Sequence, residues 1–593
     1  MSLASQLTEV VAGILKTNYN IDVSQEDIAL QPTKKEFKGT FTFVTFPYAG
    51  RLKQNPETLG KEIGEAVKSQ LQAISGYNVV KGFLNFELEE SYWRGLLYEL
   101  TNTTLGISDI GKNQKVMVEY SSPNTNKPLH LGHLRNNFLG FSLAEILKAN
   151  SYEVVKANLI NDRGIHICKS MIAYQLFGNG ETPEQRGIKG DHLVGEYYVK
   201  FDQEYKKEIE SLVALGKSEE VAKKEAPIIL KAQALLLKWE EGNTETRALW
   251  EKMNTWVYAG FNATYDLIGV NFDKVYYESD TYLLGKDLVD EGLASGAFFK
   301  KENNSVWADL TPDGLDEKLV LRGDGTSVYI TQDMGTADLK YKDFSVDKSI
   351  YVVGNEQDYH FIVLKKILQK LERPYADGIF HMSYGMVDLP SGKMKSREGT
   401  VVDADDLVNE MIETAKLRTL ESGKIDGFTE QEAIELYRIL ALGALKYFIL
   451  KVDPKKRMLF NPEESIEFQG NTGPFIQYTH ARIAALVRKA VEIKLDYLTP
   501  VATYVPSTLE AELINLISQF NKKVIEAGEA YSPALVANYC YDLAKAFNSF
   551  YAEHSIFKAT EEEQRFRMAL SALVAQVIKK GMGLLGIEVP ERM

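Results

Sequence analysis

Cysteine is scarce in this chain: only Cys168 and Cys540 occur among 593 residues, far apart in sequence. That excludes a disulfide framework and leaves too few thiolates for a zinc cluster, so a reducing cytoplasm is the expected setting. Long apolar runs are missing too. No stretch of ~18 apolar residues occurs, so no membrane-spanning helix is expected. The stretch SLASQLTEVVAGILKTNYN carries Glu9 and spaces its apolar residues at helical intervals. It reads as an amphipathic helix rather than a signal peptide, which needs a basic start and a continuous apolar core. An excess of basic residues is also absent. With 68 Lys and Arg against 82 Asp and Glu the net charge is −14, which argues against an obligate nucleic-acid coat. Local patches are still within reach, and Lys365-Lys366, Lys455-Lys456-Arg457 and Lys579-Lys580 are candidates, although such runs more often mark solvated helix faces. Internal repeats and low-complexity tracts are not found.

What is there has a clear order, and the length suggests roughly three to four domains. Residues 1–110 mix the amphipathic helix with strand-like alternation in FTFVTFP (41–47), a helix around 56–73 and a strand near GFLNFEL (82–88). This predicts a small α+β domain. From Lys115 the pattern changes to a buried strand (KVMVEY), a loop (SSPNTNKP), a helix (LHLGHLRNNFLGFSLAEILKAN) with Pro128 at its first turn, and a second strand (YEVVKANLIND). A strand-loop-helix-strand unit implies a parallel sheet with right-handed crossovers. Further strands are predicted at SVYIT (327–331), KSIYVVG (348–354) and IFHMSYGMV (379–387), and a charged helical insertion at about 170–255. This region, 111–404, is predicted to be a Rossmann-like catalytic domain. Beyond Asp405 long amphipathic patterns take over, predicting an all-helical bundle over 405–593. The fold class is therefore α/β, with an α+β domain before the parallel-sheet domain and a helical bundle after it.

Two short motifs carry the chemistry. His130-Leu131-Gly132-His133 opens the helix that follows the first strand of the sheet. A helix N-terminus beyond the carboxyl end of a parallel strand favours phosphate through its dipole and free N–H groups. His130 and His133, at i and i+3, can both donate to oxygens of an α-phosphate as charge builds, and Gly132 lets a nucleoside approach the backbone. The plain alternative is a pair of surface or metal-binding histidines, but zinc favours other spacings and further ligands. No metal ligands are assigned. The second motif, Gly392-Lys393-Met394-Lys395-Ser396-Arg397-Glu398-Gly399, is a glycine-framed basic loop. Such a loop can clamp β- and γ-phosphates in the transition state. Alone it would more often be an ordinary basic turn.

Together the motifs resemble the paired signatures of class I aminoacyl-tRNA synthetases, and the text around them resembles the arginyl-tRNA synthetase family. The blocks EYSSPNTNKPLHLGHLRNN, YITQDMGTADLKY (329–341), GNEQDYH (354–360), HMSYGMVDLPSGKMKSREG, FQGNTGPFIQYTHARI (468–483) and the ending LLGIEVPERM all look like that family's. The resemblance runs from the N-terminal domain to the last residue. It implies an arginine–tRNA ligase: ATP with Mg2+ activates L-arginine to arginyl-adenylate, and the terminal ribose 2′-hydroxyl of tRNA(Arg) then takes the arginyl group. Activation in the family generally needs bound tRNA. By the same motifs Tyr329 and Asp333 grip the guanidinium with Glu119 as a second acid, while Asn124 and Gln357 hold the amino and carboxylate end. A guanidinium does require a carboxylate and planar acceptors in a dry site. His360, His381, Met386 and Val387 are implied at the adenine site. Phe83 and Asn85 match a segment that touches the RNA elbow, and Tyr478, Tyr551 and Met593 are candidates for packing on anticodon bases. A monomer is the family's default.

One departure stands out. The usual second signature is Lys-Met-Ser-Lys, so Ser396 stands where the second, catalytic lysine is expected. Lys127, just before the HLGH block, is predicted to reach the phosphates together with Lys393; Lys395, through a shifted loop, is the alternative. A catalytically dead RNA-binding paralogue need not keep His130, His133, Lys393 and Asp333. Another HxGH ligase for a small molecule would lack the helical tail. A synthetase for another amino acid would have little use for an acidic pocket unless its substrate were cationic.

Overall fold

A computed structural model describes residues 3–34, 36–388, 402–421, 423, 425 and 427–593. The second motif, with Lys393, Lys395 and Ser396, lies outside the described residues. The chain divides into two compact units. One comprises Met1–Thr104, Lys494–Ser518 and Ser549–Leu570, the other Leu105–Ile493, Gln519–Asn548 and Ser571–Met593.

In the first unit, helices α1 (Leu3–Tyr19), α2 (Pro56–Gln70) and α3 (Glu90–Thr101) accompany an antiparallel sheet. Its strands are β1 (Leu30–Pro32), β2 (Phe41–Val44), β3 (Ile74–Val80) and β4 (Phe83–Leu88), in the order β1-β2-β4-β3. Leu7, Val11 and Leu15 bury one stripe of α1, as the helical spacing of its apolar residues requires. The strand expected over 41–47 is shorter than its alternation suggested. After Val44 the chain turns into a helix at Phe46–Leu52, because Pro47 suits a first helical turn, where its missing N–H costs nothing.

The second unit is built on a five-stranded parallel sheet, as the strand-loop-helix-strand pattern implied. Its strands are β5 (Lys115–Glu119), β6 (Glu153–Ile160), β7 (Lys274–Tyr277), β11 (Lys348–Gly354) and β12 (Ile379–Tyr384), in the order β12-β11-β5-β6-β7. A separate three-stranded antiparallel sheet holds β8 (Phe298–Lys300), β9 (Val306–Ala308) and β10 (Lys318–Leu321). From β5 the parallel sheet grows outward through β6 and β7, then restarts on the other side with β11. The strand order therefore reverses between β5 and β11, and ligands bind beyond the carboxyl ends of strands at such a point.

Between β5 and β6 lies α4 (Leu131–Ala149), buried along most of its length. The insertion supplies α5 (Ile165–Phe177), α6 (Gly190–Ala214), α7 (Pro227–Glu240) and α8 (Thr244–Ile268). The strand expected over 327–331 is instead the start of helix α9 (Tyr329–Phe344). Its alternation of β-branched and aromatic residues looks extended, but the Thr331 hydroxyl accepts the Val328 N–H at 3.1 Å and closes the first turn. Helix α10 (Asp358–Lys370) follows β11. Later come α11 (Ala404–Glu421), α12 (Glu430–Leu450) and α13 (Gly473–Glu492). Among the described residues after Asp405 helices predominate as expected, and Met458–Leu459 pairs in parallel with Val387–Asp388. No described helix is long and apolar enough to cross a membrane. Cys168 and Cys540 are both buried and unbridged.

Candidate active site

Helix α4 starts at Leu131, two residues later than the stretch predicted from Leu129, so Pro128 lies outside its first turn, and the reason is chemical. Pro128 precedes the helix, and His130 is its N-cap, with an extended backbone at φ −138° and ψ 174°. The two histidines cap reciprocally. His130 Nδ1 accepts the Gly132 N–H at 3.1 Å, and His133 Nδ1 accepts the His130 N–H at 3.2 Å. An imidazole that accepts at Nδ1 carries its proton at Nε2 when neutral. Both rings are neutral: burial, then the charge of Lys127, pushes His130 down to about 3. Burial, His130 and Lys127 hold His133 lower than its ordinary value as well. The ring centroids lie 3.9 Å apart, so two Nε2–H donors stand side by side at a helix N-terminus. Gly132 leaves room there, since a Cβ would meet the His130 ring at 3.0 Å.

Helix α4 is tied to the strand ends by residues that pattern reading passed over. The Asn136 side chain accepts the Ser121 N–H at 2.5 Å and donates to Val352 O at 2.7 Å, bridging the ends of β5 and β11. Buried Arg135 donates to the carbonyls of Met386, Pro454 and Lys456 at 3.2, 3.1 and 2.7 Å. The available signal was their place: polar side chains immediately after HLGH on an otherwise apolar helix.

Lys127 is half-buried and borders, with His130, a cavity of about 590 Å³ whose other wall comes from α6 of the insertion. His381 lies in β12. Its Nε2 donates to Val353 O at 3.0 Å, its Nδ1 is 3.2 Å from Asp358, and its ring stacks on Phe361. Met386 is exposed while Val387 is buried.

The residues expected around arginine fall on α9, at the end of β5 and in the segments just past β5 and β11. Tyr329 and Asp333 stand at i and i+4 on α9, Tyr329 with 81% of its surface exposed. Asp333 Oδ2 meets His360 Nε2 at 2.6 Å, joining α9 to the start of α10 beyond β11. Glu119, the last residue of β5, is buried and ion-paired with Lys340, two turns beyond Asp333 on α9. Burial alone would lower the Lys340 pKa, but the Glu119 carboxylate beside it, with the Tyr351 hydroxyl, holds it raised at about 12. Lys340 was missed by the sequence reading. With Glu119 so engaged, Asp333 is the more open carboxylate. Asn124 is exposed just past β5, where it pairs with Asn161, and Gln357 is exposed in the turn after β11.

The expected RNA contacts are distributed as follows. In the first unit Phe83 is half-buried, edge-on to Phe46, and borders a cavity of about 240 Å³ with Lys34, Lys81 and Asn85. Asn85 is itself buried: its amide donates to Asn78 at 2.8 Å and accepts from Thr42 at 2.6 Å. Tyr551 is partly exposed in that unit. In the second unit Tyr478 carries the Arg482 guanidinium 4.7 Å over its ring, and Met593 is half-buried.

Three family models match the chain: "tRNA synthetases class I (R), catalytic domain" over residues 98–461, "DALR anticodon binding domain" over 476–593, and "Arginyl tRNA synthetase N terminal domain" over 2–88. The arginine–tRNA ligase of Amoebophilus asiaticus is 57% identical over 598 aligned residues, covering 100% of both chains. That of Bacteroides fragilis is 56% identical over 592, covering 99% of each. Among solved structures, the arginyl-tRNA synthetase of Thermus thermophilus shares the fold with a TM-score of 0.79 at 24% identity, over 100% of both chains. With all three models matched in order and relatives of this identity along the whole length, the chain belongs to the arginyl-tRNA synthetase family.

Proposed function

We propose that this chain is an arginine–tRNA ligase, which activates arginine with ATP and transfers it to tRNA(Arg), releasing AMP and pyrophosphate. One observation carries the mechanism: two neutral histidines present paired Nε2–H donors at the N-terminus of α4, beside the reversal point of the sheet. In-line attack of the arginine carboxylate on the α-phosphorus loads charge onto the non-bridging oxygens. Preorganised donors at that place stabilise the charge without themselves changing protonation. Lys127, beside His130, supplies a fixed positive charge toward the phosphates and works with Lys393 in place of the lysine missing at Ser396, with Lys395 the alternative. Magnesium enters with ATP as its counter-ion. His360, His381, Met386 and Val387 make up the adenine side.

Asp333 is the acid for the guanidinium, with Tyr329 one turn away and Glu119 held behind it by Lys340. Asn124 and Gln357 take the amino and carboxylate end. The second step places the terminal 2′-hydroxyl against the adenylate carbonyl. Phe83 and Asn85 read the RNA elbow, Tyr478, Tyr551 and Met593 the anticodon. The working division is 1–110 for the elbow, 111–404 for catalysis and 405–593 for the anticodon, in a cytoplasmic monomer.

ATP–pyrophosphate exchange, with arginine and lysine compared in the presence and absence of tRNA, tests the reading. Exchange is expected with arginine plus tRNA. Exchange with lysine alone, or none with arginine plus tRNA, overturns it.

A further inference from the structure

The backbone that starts helix α4 is held by a segment distant in sequence. The Leu131 N–H donates to Val402 O at 3.2 Å and the Ala404 N–H donates to Leu129 O at 3.0 Å, pairing His130 with Asp403 in antiparallel fashion. Val402–Ala404 therefore fixes where the capping histidine sits. That segment is in turn anchored by the insertion. The Asp405 carboxylate receives the Lys189 ammonium, the His192 Nε2–H at 3.1 Å and the Thr264 hydroxyl at 2.9 Å. His192 is also 3.4 Å from Asp403, and Lys189 is 2.6 Å from the Thr264 hydroxyl and 3.5 Å from buried Asp191.

Asp191, His192 and Asp405 lie close enough together to share a cation, but the Lys189 ammonium already fills that place. A second contact reinforces the anchor. Gly195 of α6 rests on Pro128 so closely that a Cβ would come within 2.8 Å of the proline ring. The same helix walls the cavity bordered by Lys127, His130 and Asp403.

We propose that Lys189 and His192 of the insertion are positioning residues for ATP activation. By holding Asp405 they hold Val402–Ala404, and through that backbone they set the His130–His133 donor pair. This rests on the functional reading above. The insertion is then a working part of the phosphate site, because displacing a donor by about 1 Å costs on the order of 100-fold in rate.

The test uses the full chain with His192→Ala, His192→Gln and Lys189→Met. In pyrophosphate exchange with arginine and tRNA, His192→Ala is expected to lower kcat about tenfold with the arginine KM within about twofold. Gln, whose amide can still donate to Asp405, should restore most of the loss. Rates are referred to active sites counted by the adenylate burst, since a merely structural role would lower the active fraction and spare the rate per site. An unchanged rate per active site in His192→Ala, or no recovery with Gln, overturns the proposal. ATP affinity, measured calorimetrically, separates this from a failure of the functional reading. If wild-type protein shows no exchange with arginine, that reading falls. In that case a several-fold weaker ATP affinity in Lys189→Met supports the positioning role, and equal affinity overturns it.

Discussion

At the residue scale the proposed arginine pocket turns on how two acids are compensated. Glu119 and Asp333 look alike in sequence, yet Glu119 is buried against Lys340 while Asp333 keeps an exposed edge and meets the His360 ring. A buried ion pair contributes little net stability, but removing one partner leaves an uncompensated charge and costs about 3–5 kcal/mol. Lys340→Met is therefore expected to destabilise the fold by about that amount, read by urea unfolding. A loss under about 1 kcal/mol would mean that Glu119 finds another partner. Asp333→Asn keeps the shape and removes the charge. It should lower kcat/KM for arginine about 100-fold, the worth of a charge-assisted hydrogen bond, while the ATP KM stays within about threefold. Steady-state exchange kinetics with each substrate varied in turn would show the split; an equal rise in both KM values would move Asp333 out of the arginine pocket.

At the scale of elements, the N-terminus of α4 links protonation to folding. His130 is neutral in the folded chain down to about pH 3, whereas an unfolded histidine titrates near ~6.5. Its folded pKa is depressed, so the unfolded state binds the extra proton between those values, and stability falls as pH drops through that window. Glutamine at 130 offers an amide in place of the ring and does not titrate. The expected outcome is that wild-type protein loses more thermal stability than His130→Gln between pH 7.5 and pH 5; parallel losses would show that His130 is not held neutral.

Other elements differ in how far they could be read in advance. The parallel sheet was legible because KVMVEY and KSIYVVG are continuous apolar runs bounded by polar loops, as strands buried on both faces must be. SVYIT misled for a local reason: five residues of strand-like pattern cannot reveal that Thr331 will spend its hydroxyl on a helix cap. Lys340 and the Lys189–His192–Asp405 group were illegible because their meaning lies in partners more than a hundred residues away, and a lone polar residue on a helix is ordinarily a solvated one.

At the scale of the whole chain, the last residues raise a question of cause. The tail is strapped within the second unit by its own backbone. Gln477 donates to Glu588 O at 2.8 Å, His480 to Pro590 O at 3.0 Å and Arg488 to Glu591 O at 2.8 Å, while Lys579 pairs with the Glu591 carboxylate. Arg592 reaches back to Gly427 O at 3.1 Å and lies over the ring of Phe428. Removing Glu588–Met593 would thus strip these straps together with any contact to RNA, and a loss of charging could not be assigned. Met593 stands past the last strap, so deleting it alone separates the two roles. The single deletion is expected to lower kcat/KM for tRNA charging about tenfold, roughly 1.4 kcal/mol of lost RNA contact, with unfolding temperature and ATP affinity unchanged. The longer deletion should lower the unfolding temperature as well. If removing Met593 weakens ATP binding as much as charging, the terminal methionine acts on the fold of the chain and has no part in reading the anticodon.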